Sequence, residues 1–320
     1  MAEVTILSVY HSRESKKLLE INRDLVRKQN PGVSFEWIVA DNSPLDFPEK
    51  LTAESGFTVV PGASHVPDVP GWIRPSFHHN IAMNESIRYA KTRFILFLDS
   101  DFYAVRPNWI RETIAYMEKN KLTFFGAPWH PKQYQEFRYF PAHQFLLVDT
   151  EKVDPATLDF TPLEYRTEKH IPSKKKRHIF FISRLLDTFD FANRRTIGNE
   201  KHTAYRVFDR FYANSKYPAE CVVSVLRPSK DSYPQAKLLF TLNKVLELFL
   251  PDRLCYIPKD KSYWTTRGFN ERGTCDAAGK GWEEFIWKDT PFGFHVRPIK
   301  QLKKGYSLDD LVRLIKECLS

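Results

Sequence analysis

The chain has 320 residues, 42% hydrophobic and 27% charged, which gives material for a sizeable core and excludes disorder as the default state. Forty-eight Lys and Arg against 39 Asp and Glu leave a formal charge of +9, a balance that favours anionic partners: nucleotide diphosphates, nucleic acid or an anionic membrane surface. Paired zinc ligands and an RNP-type aromatic strand are absent, so no nucleic-acid partner is expected, and no run of about 18 apolar residues offers a membrane-spanning helix.

Val4–Tyr10 is a short apolar, β-branched run and predicts a buried strand, with no signal-peptide pattern ahead of it. Glu14–Gln29 carries Leu18, Leu19, Ile21, Leu25 and Val26 at near-helical spacing, and Asn30-Pro31-Gly32 stops the helix. Phe35–Ala40 and Phe57–Val60 read as strands, Ser76–Ala90 as a helix, and Arg93–Leu98 as a very apolar strand. Trp109–Asn120 reads as a helix, followed by strands at Leu122–Gly126 and Phe145–Val148. This alternation predicts an α/β fold with a mostly parallel sheet covered by helices on both faces. In such sheets ligands bind beyond the carboxyl ends of the strands.

Between Asp154 and Arg195 the alternation breaks down. The run Ser173-Lys174-Lys175-Lys176-Arg177 precedes apolar His178–Leu186 and reads as a solvated loop entering a packed helix. Its rival reading is a peripheral contact with an anionic membrane, or an acceptor-binding element. Further elements are a helix over Glu200–Tyr212, a strand over Glu220–Leu226 and an amphipathic helix over Gln235–Leu250 that ends at Pro251. A strand over Phe292–Val296 follows, then a C-terminal helix over Ser307–Leu319 with Ser307 as N-cap and Asp310 at its third position. Cys221, Cys255, Cys275 and Cys318 contain no Cys-x-x-Cys and read as reduced thiols of a cytoplasmic protein.

The segment Arg93–Phe102, RFILFLDSDF, carries the chemistry. Two carboxylates, Asp99 and Asp101, leave an apolar strand with one small residue between them. Burying both unpaired would cost several kcal/mol each, so they belong at the strand's carboxyl end, in the crevice. Two hard oxygen ligands there suit Mg²⁺ or Mn²⁺ together with a diphosphate.

The order of these segments resembles the GT-A glycosyltransferases, most closely glycosyltransferase family 2. The first strand VTILSVY, a second strand ending in Asp at Ile38–Pro44 (IVADNSP), and the Asn-containing helix before the metal strand at Phe77–Phe102 carry the resemblance. It covers residues 4–130 well and 190–300 loosely. It implies three regions: a nucleotide-sugar-binding half over 1–150, an insertion and acceptor-side half over 151–300, and a C-terminal helix over 301–320.

Residue roles follow by position. Asp41 would bind the base or ribose, and Ser8, Tyr10 and His11 would border the base. Where the family usually has Arg-Asn, this chain has His79-Asn80 near the phosphate or ribose. Asp99 and Asp101 would hold metal and nucleotide, Asp101 more directly. Glu200, in Gly198-Asn199-Glu200 with Arg206 trailing, takes the place of the family's acidic catalytic base, with Asp187, Asp190 and Asp209 as rivals. His295, in Phe292–Arg297, would add an imidazole to the metal and Arg297 would face the diphosphate, although a lone His between apolar residues also reads as a core histidine. Trp264–Gly268 and Gly279–Trp282 would form a loop over the donor, with Arg267 or Lys280 on the phosphates. His143 and Trp129-His130 fall where acceptor contacts are expected.

The function implied is transfer of a sugar from a UDP- or GDP-sugar to a hydroxyl on a glycan, protein glycan or lipid-linked acceptor, with inversion. A retaining GT-A enzyme and a nucleotidyltransferase are the alternatives. The loop His11–Ser15 lacks the glycine that the latter uses, which argues against it. A non-enzymatic binder of nucleic acid or of anionic surfaces, suggested by the +9 charge, is the remaining rival.

Overall fold

The computed structural model describes residues 2–52, 55–69, 71, 74–131, 139–162, 203–212, 214–227, 248–249, 258–298 and 305–319. Within them the strands, in chain order, are β1 (Val4–Tyr10), β2 (Phe35–Asp41), β3 (Thr58–Pro61), β4 (Phe94–Leu98), β5 (Phe102–Ala104), β6 (Phe124–Pro128), β7 (Pro141–Asp149), β8 (Ala219–Cys221), β9 (Val223–Val225), β10 (Trp264–Thr265), β11 (Glu283–Trp287) and β12 (Thr290–His295). The α-helices are α1 (Arg13–Gln29), α2 (Arg74–Ser86), α3 (Trp109–Lys119), α4 (Tyr205–Phe211) and α5 (Leu308–Leu319).

The larger sheet has the order β3-β2-β1-β4-β7-β6-β8. Its first four strands are mutually parallel, as the strand-helix alternation predicts, while β7 runs antiparallel to β4 and β6. Every residue of β1 and β4 is buried, which is why both read as near-continuous apolar runs rather than alternating ones. α1 starts where Ser12 and Ser15 cap each other, each backbone N–H donating to the other's hydroxyl. It buries Leu18, Leu25 and their neighbours along one face.

The smaller sheet, ordered β10-β9-β11-β12-β5, gathers segments from distant parts of the chain. The run Glu220–Leu226, expected as one strand, is two: β8 belongs to the larger sheet and β9 to the smaller. β5, β10 and β11 lie in stretches with no strand expected. Gly293 lets β12 close on β5, since a Cβ there would stand 2.7 Å from the Tyr103 carbonyl oxygen. The resulting register sets His295 opposite Phe102 and also opposite Glu283.

α5 is capped by Ser307, whose hydroxyl accepts from the Asp310 N–H at 3.1 Å while the Ser307 N–H donates to the Asp310 carboxylate. Its Leu311 and Ile315 pack with Leu18, Leu25, Trp282 and Phe294. This docking brings Cys318 to Cys275, and the two form a disulfide. The expectation of four reduced thiols is therefore corrected. An amphipathic helix that folds back onto the small sheet joins two cysteines whose separation in sequence gives no hint of pairing, and the cytoplasmic reading loses the basis it had in reduced thiols. Cys221 is a buried free thiol, and Cys255 lies outside the described residues. So do Ser173–Arg177 and nearly all of the helix expected over Gln235–Leu250. Among the described residues no helix is long and apolar enough to cross a membrane.

Candidate active site at the carboxyl end of the fourth strand

β4 ends at Leu98, and the chain turns through Asp99-Ser100-Asp101 into β5, passing from the large sheet to the small one. Asp101 is held from the β12 side. Its Oδ1 lies 3.1 Å from His295 Nε2, and its Oδ2 accepts from the Arg297 N–H at 3.1 Å. His295 Nδ1 stands 3.1 Å from Glu283 Oε2, and Arg297 Nε donates to Glu283 Oε1 at 2.6 Å. Arg297 reaches this position with φ of +53°, in the left-handed region that non-glycine residues seldom occupy. Its guanidinium lies 5.2 Å from the centre of the Trp129 ring.

On the other side of the turn Asp99 meets two histidines. His79 Nε2 of α2 is 3.6 Å from Asp99 Oδ1, and His143 Nε2 of β7 is 3.5 Å from Asp99 Oδ2. Asp99 Oδ1 is buried with no hydrogen-bond partner. Asp99, Asp101 and His295 present ligand atoms all within 4.8 Å of one another. A buried carboxylate oxygen without a donor, beside a second carboxylate and an imidazole, is a donor set that fits a divalent cation.

The charges differ across the site. Burial lifts the Asp99 carboxyl above its ordinary range, and the neighbouring Asp101 adds to this against the pull of His79. For Asp101 burial acts in the same direction, but His295 and Arg297 outweigh it and hold the group below the carboxylate range. Burial would lower His295, yet Asp101 and Glu283 raise it to about 9. Glu283 is buried, and Arg297 and His295 overcome that burial to keep it well below the usual range. Burial pushes His79 down to about 4 and His143 to about 3, so both rings are neutral.

The other expected residues are distributed as follows. Asp41 ends β2. It accepts from the Ser43 N–H at 2.9 Å and lies 3.4 Å from Lys50 Nζ, so it shapes its own turn. It also lines an open cleft of about 750 Å³ with Asn42, Lys50, Gly62 and His78. Ser8 is fully buried, accepting from Trp37 Nε1 and donating to the Leu98 carbonyl, so its hydroxyl is occupied within the sheet. Tyr10 is likewise buried, and its hydroxyl donates to the Glu49 carbonyl. His11 is exposed at the end of β1. Asn80 is buried, donates to Thr203, and leaves its Oδ1 without a partner.

Glu200, Asp187 and Asp190 lie outside the described residues. Asp209 is exposed on α4, and Arg206 stands 3.4 Å from Asp159. Arg267 is exposed, while Lys280 reaches toward Glu317 of α5 at 4.0 Å rather than toward the two aspartates. His130 is buried against the Val225 carbonyl at 2.8 Å. Glu283 is the residue that sequence reasoning passed over. It stands in Gly281-Trp282-Glu283-Glu284, where a carboxylate on a buried strand was the available signal.

Residues 74–195 match the family model described as Glycosyl transferase family 2. No curated protein sequence matches the chain. Among solved structures, the S. aureus TarS 1–349 structure in complex with UDP-GlcNAc is similar at 14% identity and a TM-score of 0.35, over 50% of this chain and 48% of that one. The mannosyltransferase PcManGT from Pyrobaculum calidifontis, in complex with GDP-Man and Mn²⁺, aligns at 12% identity and a TM-score of 0.35 over 78% of this chain and 81% of that one. Glucosyl-3-phosphoglycerate synthase from Mycobacterium tuberculosis, with Mn²⁺, UDP and glucosyl-3-phosphoglycerate, aligns at 16% identity and a TM-score of 0.33 over 47% and 58%. The chain thus spans about half the length of the TarS chain it matches. It has a mixed α/β fold, and its residues 74–195 are similar to the family 2 glycosyl transferase domain.

Proposed function

We propose that the chain is a metal-dependent glycosyltransferase that moves a sugar from a nucleoside-diphosphate sugar to a hydroxyl acceptor with inversion. The observation that supports this most is the meeting of Asp99, Asp101 and His295 beyond the carboxyl end of β4, where α/β sheets place their ligands. Asp99, Asp101 and His295 would hold the cation, and an imidazole beside two carboxylates favours Mn²⁺ over Mg²⁺. When bound there, the cation supplies Lewis-acid stabilisation of the charge that develops on the leaving diphosphate.

The chain's own groups account for the rest. Glu283 accepts from His295 Nδ1, which leaves Nε2 free of its proton when it faces a cation. Arg297, fixed by Glu283 and by its N–H bond to Asp101, places a positive charge beside the diphosphate position. The cleft at Asp41 and Lys50 takes the base and ribose of a UDP- or GDP-sugar. Glu200 is the candidate base for the acceptor hydroxyl. The acceptor is a glycan, a protein glycan or a lipid-linked sugar, and the basic run Ser173–Arg177 gives it an anionic-membrane contact.

The test is a panel of UDP- and GDP-sugars, scored for Mn²⁺-dependent donor hydrolysis and for the anomeric configuration of transferred product by NMR. An active donor whose turnover falls in Glu200→Gln, with inverted product, supports the reading. Retained configuration would replace inversion by retention, and a panel with no Mn²⁺-dependent turnover would overturn the donor assignment.

A further inference from the structure

Beside the Asp99–Asp101–His295 set lies a second constellation that shares Asp99 and adds two histidines the proposed transfer does not use. His79 comes from α2, His143 from β7, and Asp99 from the turn after β4. Two separate elements therefore converge on the carboxylate carried by a third. The three residues present ligand atoms within 4.8 Å of one another. The imidazole nitrogens stand 3.6 and 3.5 Å from the two oxygens of Asp99, one nitrogen to each. Those separations are too long for hydrogen bonds. They are close to what one interposed ion requires, since ligands about 2.0–2.1 Å from a tetrahedral centre stand roughly 3.4 Å apart. The rings meet edge-on, with centroids 5.9 Å apart and planes at 67°, so their faces do not stack.

A second observation points the same way. Asp99 Oδ1, the oxygen facing His79, is buried and has no hydrogen-bond partner. A buried carboxylate oxygen ordinarily finds a donor, and the imidazole nitrogen facing this one stands 3.6 Å away, too far to donate. An ion has a path inward, because a quarter of the His79 side chain remains accessible.

The geometry points to a second cation site, His79–Asp99–His143, for a borderline transition ion of the zinc class. Two imidazoles and one carboxylate suit such an ion better than Mg²⁺ or Mn²⁺, and three protein ligands leave its fourth position open. The site does not depend on the donor reading, because imidazole coordination needs no nucleotide. It shares Asp99 with the Asp99–Asp101–His295 set, so zinc bound here draws that carboxylate away and inhibits any Mn²⁺-supported activity.

The count of imidazoles separates the two sets, since one holds two and the other holds one. The full chain, stripped with chelator and given one equivalent of Zn²⁺, is measured by X-ray absorption at the zinc edge. Two imidazoles per zinc are expected; one or none overturns the assignment. Zinc affinity should fall at least tenfold in His79→Ala and in His143→Ala, yet change less than threefold in His295→Ala. The opposite pattern also overturns it. Because His143 is buried, its replacement can unfold the chain, in which case the accessible His79 variant and the absorption spectrum of the unaltered protein decide. Failure of UDP or GDP to bind with Mn²⁺ would leave these zinc measurements unaffected.

Discussion

The two sides of Asp99 are built on different plans. Toward β12, Asp101, His295, Glu283 and Arg297 form a chain of contacts between 2.6 and 3.1 Å, alternating negative and positive groups. Toward α2 and β7, two neutral imidazoles stand 3.5 and 3.6 Å from the same turn and make no hydrogen bond to it. The first wall is organised by the protein alone, with Glu283 fixing the directions of both His295 and Arg297. The second wall converges without closing. The lesson is that position and electrostatic wiring are separable: the sheets deliver side chains to both walls, but only the small sheet supplies the carboxylate and guanidinium that lock them.

The strongest way to break this contrast is at Asp101. Asp101→Asn should lower metal-dependent transfer on the order of a thousandfold, several kcal/mol of transition-state stabilisation, with the melting temperature little changed. Steady-state kinetics at saturating Mn²⁺ beside a thermal melt would show it, and an unimpaired variant would mean the wired wall is only structural.

Glu283→Gln sharpens the comparison. Mn²⁺ affinity should drop about 10- to 100-fold, because the group that orients His295 is weakened. In the metal-free chain the same substitution should move the His295 titration from about 9 toward the ordinary histidine value near 6.5, as followed by NMR. The folded pKa of His295 is raised. Its contribution to metal-free stability is therefore complete below about 6.5 and lost as the pH rises through about 9. Over that window Mn²⁺ affinity should rise, since the ion must displace the proton.

Two smaller effects lie away from both walls. Arg93 forms a two-point ion pair with buried Asp149 at 2.9 and 3.0 Å, and Lys152 joins it at 3.0 Å. Arg93→Ala should cost about 2 kcal/mol in denaturant unfolding and leave Mn²⁺ affinity unchanged. Burial would raise Asp149, but Arg93 and Lys152 prevail and lower it. Its stabilisation is accordingly present above the unfolded value near 4 and fades as the pH falls through the folded one. Ser307→Ala, which removes the cap of α5, should cost about 1 kcal/mol, seen as a small drop in melting temperature.

Much of the large sheet was legible in the sequence because its strands are buried on both faces and their helices have regular apolar spacing. β1, α1, β2 and β4 declare themselves in that way. Asp99 and Asp101 were legible for a related reason, since two carboxylates at the end of an apolar strand need an outlet. The small sheet was not legible, because β5, β9 and β10 are two or three residues long and pair across large sequence distances. Glu283 acquires its place only through the register with His295, and His79 and His143 meet only after α2 has packed on β1 and β2 and β7 has paired with β4. The Cys275–Cys318 disulfide likewise depends on where α5 docks, which its own amphipathic pattern does not say.

The central claim is that Asp99, Asp101 and His295 grip one divalent ion together with a nucleotide diphosphate. Calorimetric titration of UDP and GDP into the full chain, with and without Mn²⁺ and repeated on Asp101→Asn, tests it most directly. The account predicts that one of the two nucleotides binds in Mn²⁺, weakens sharply when the metal is chelated, and is lost in the variant. Silence from both nucleotides in Mn²⁺, or binding indifferent to metal and to Asp101, would contradict it.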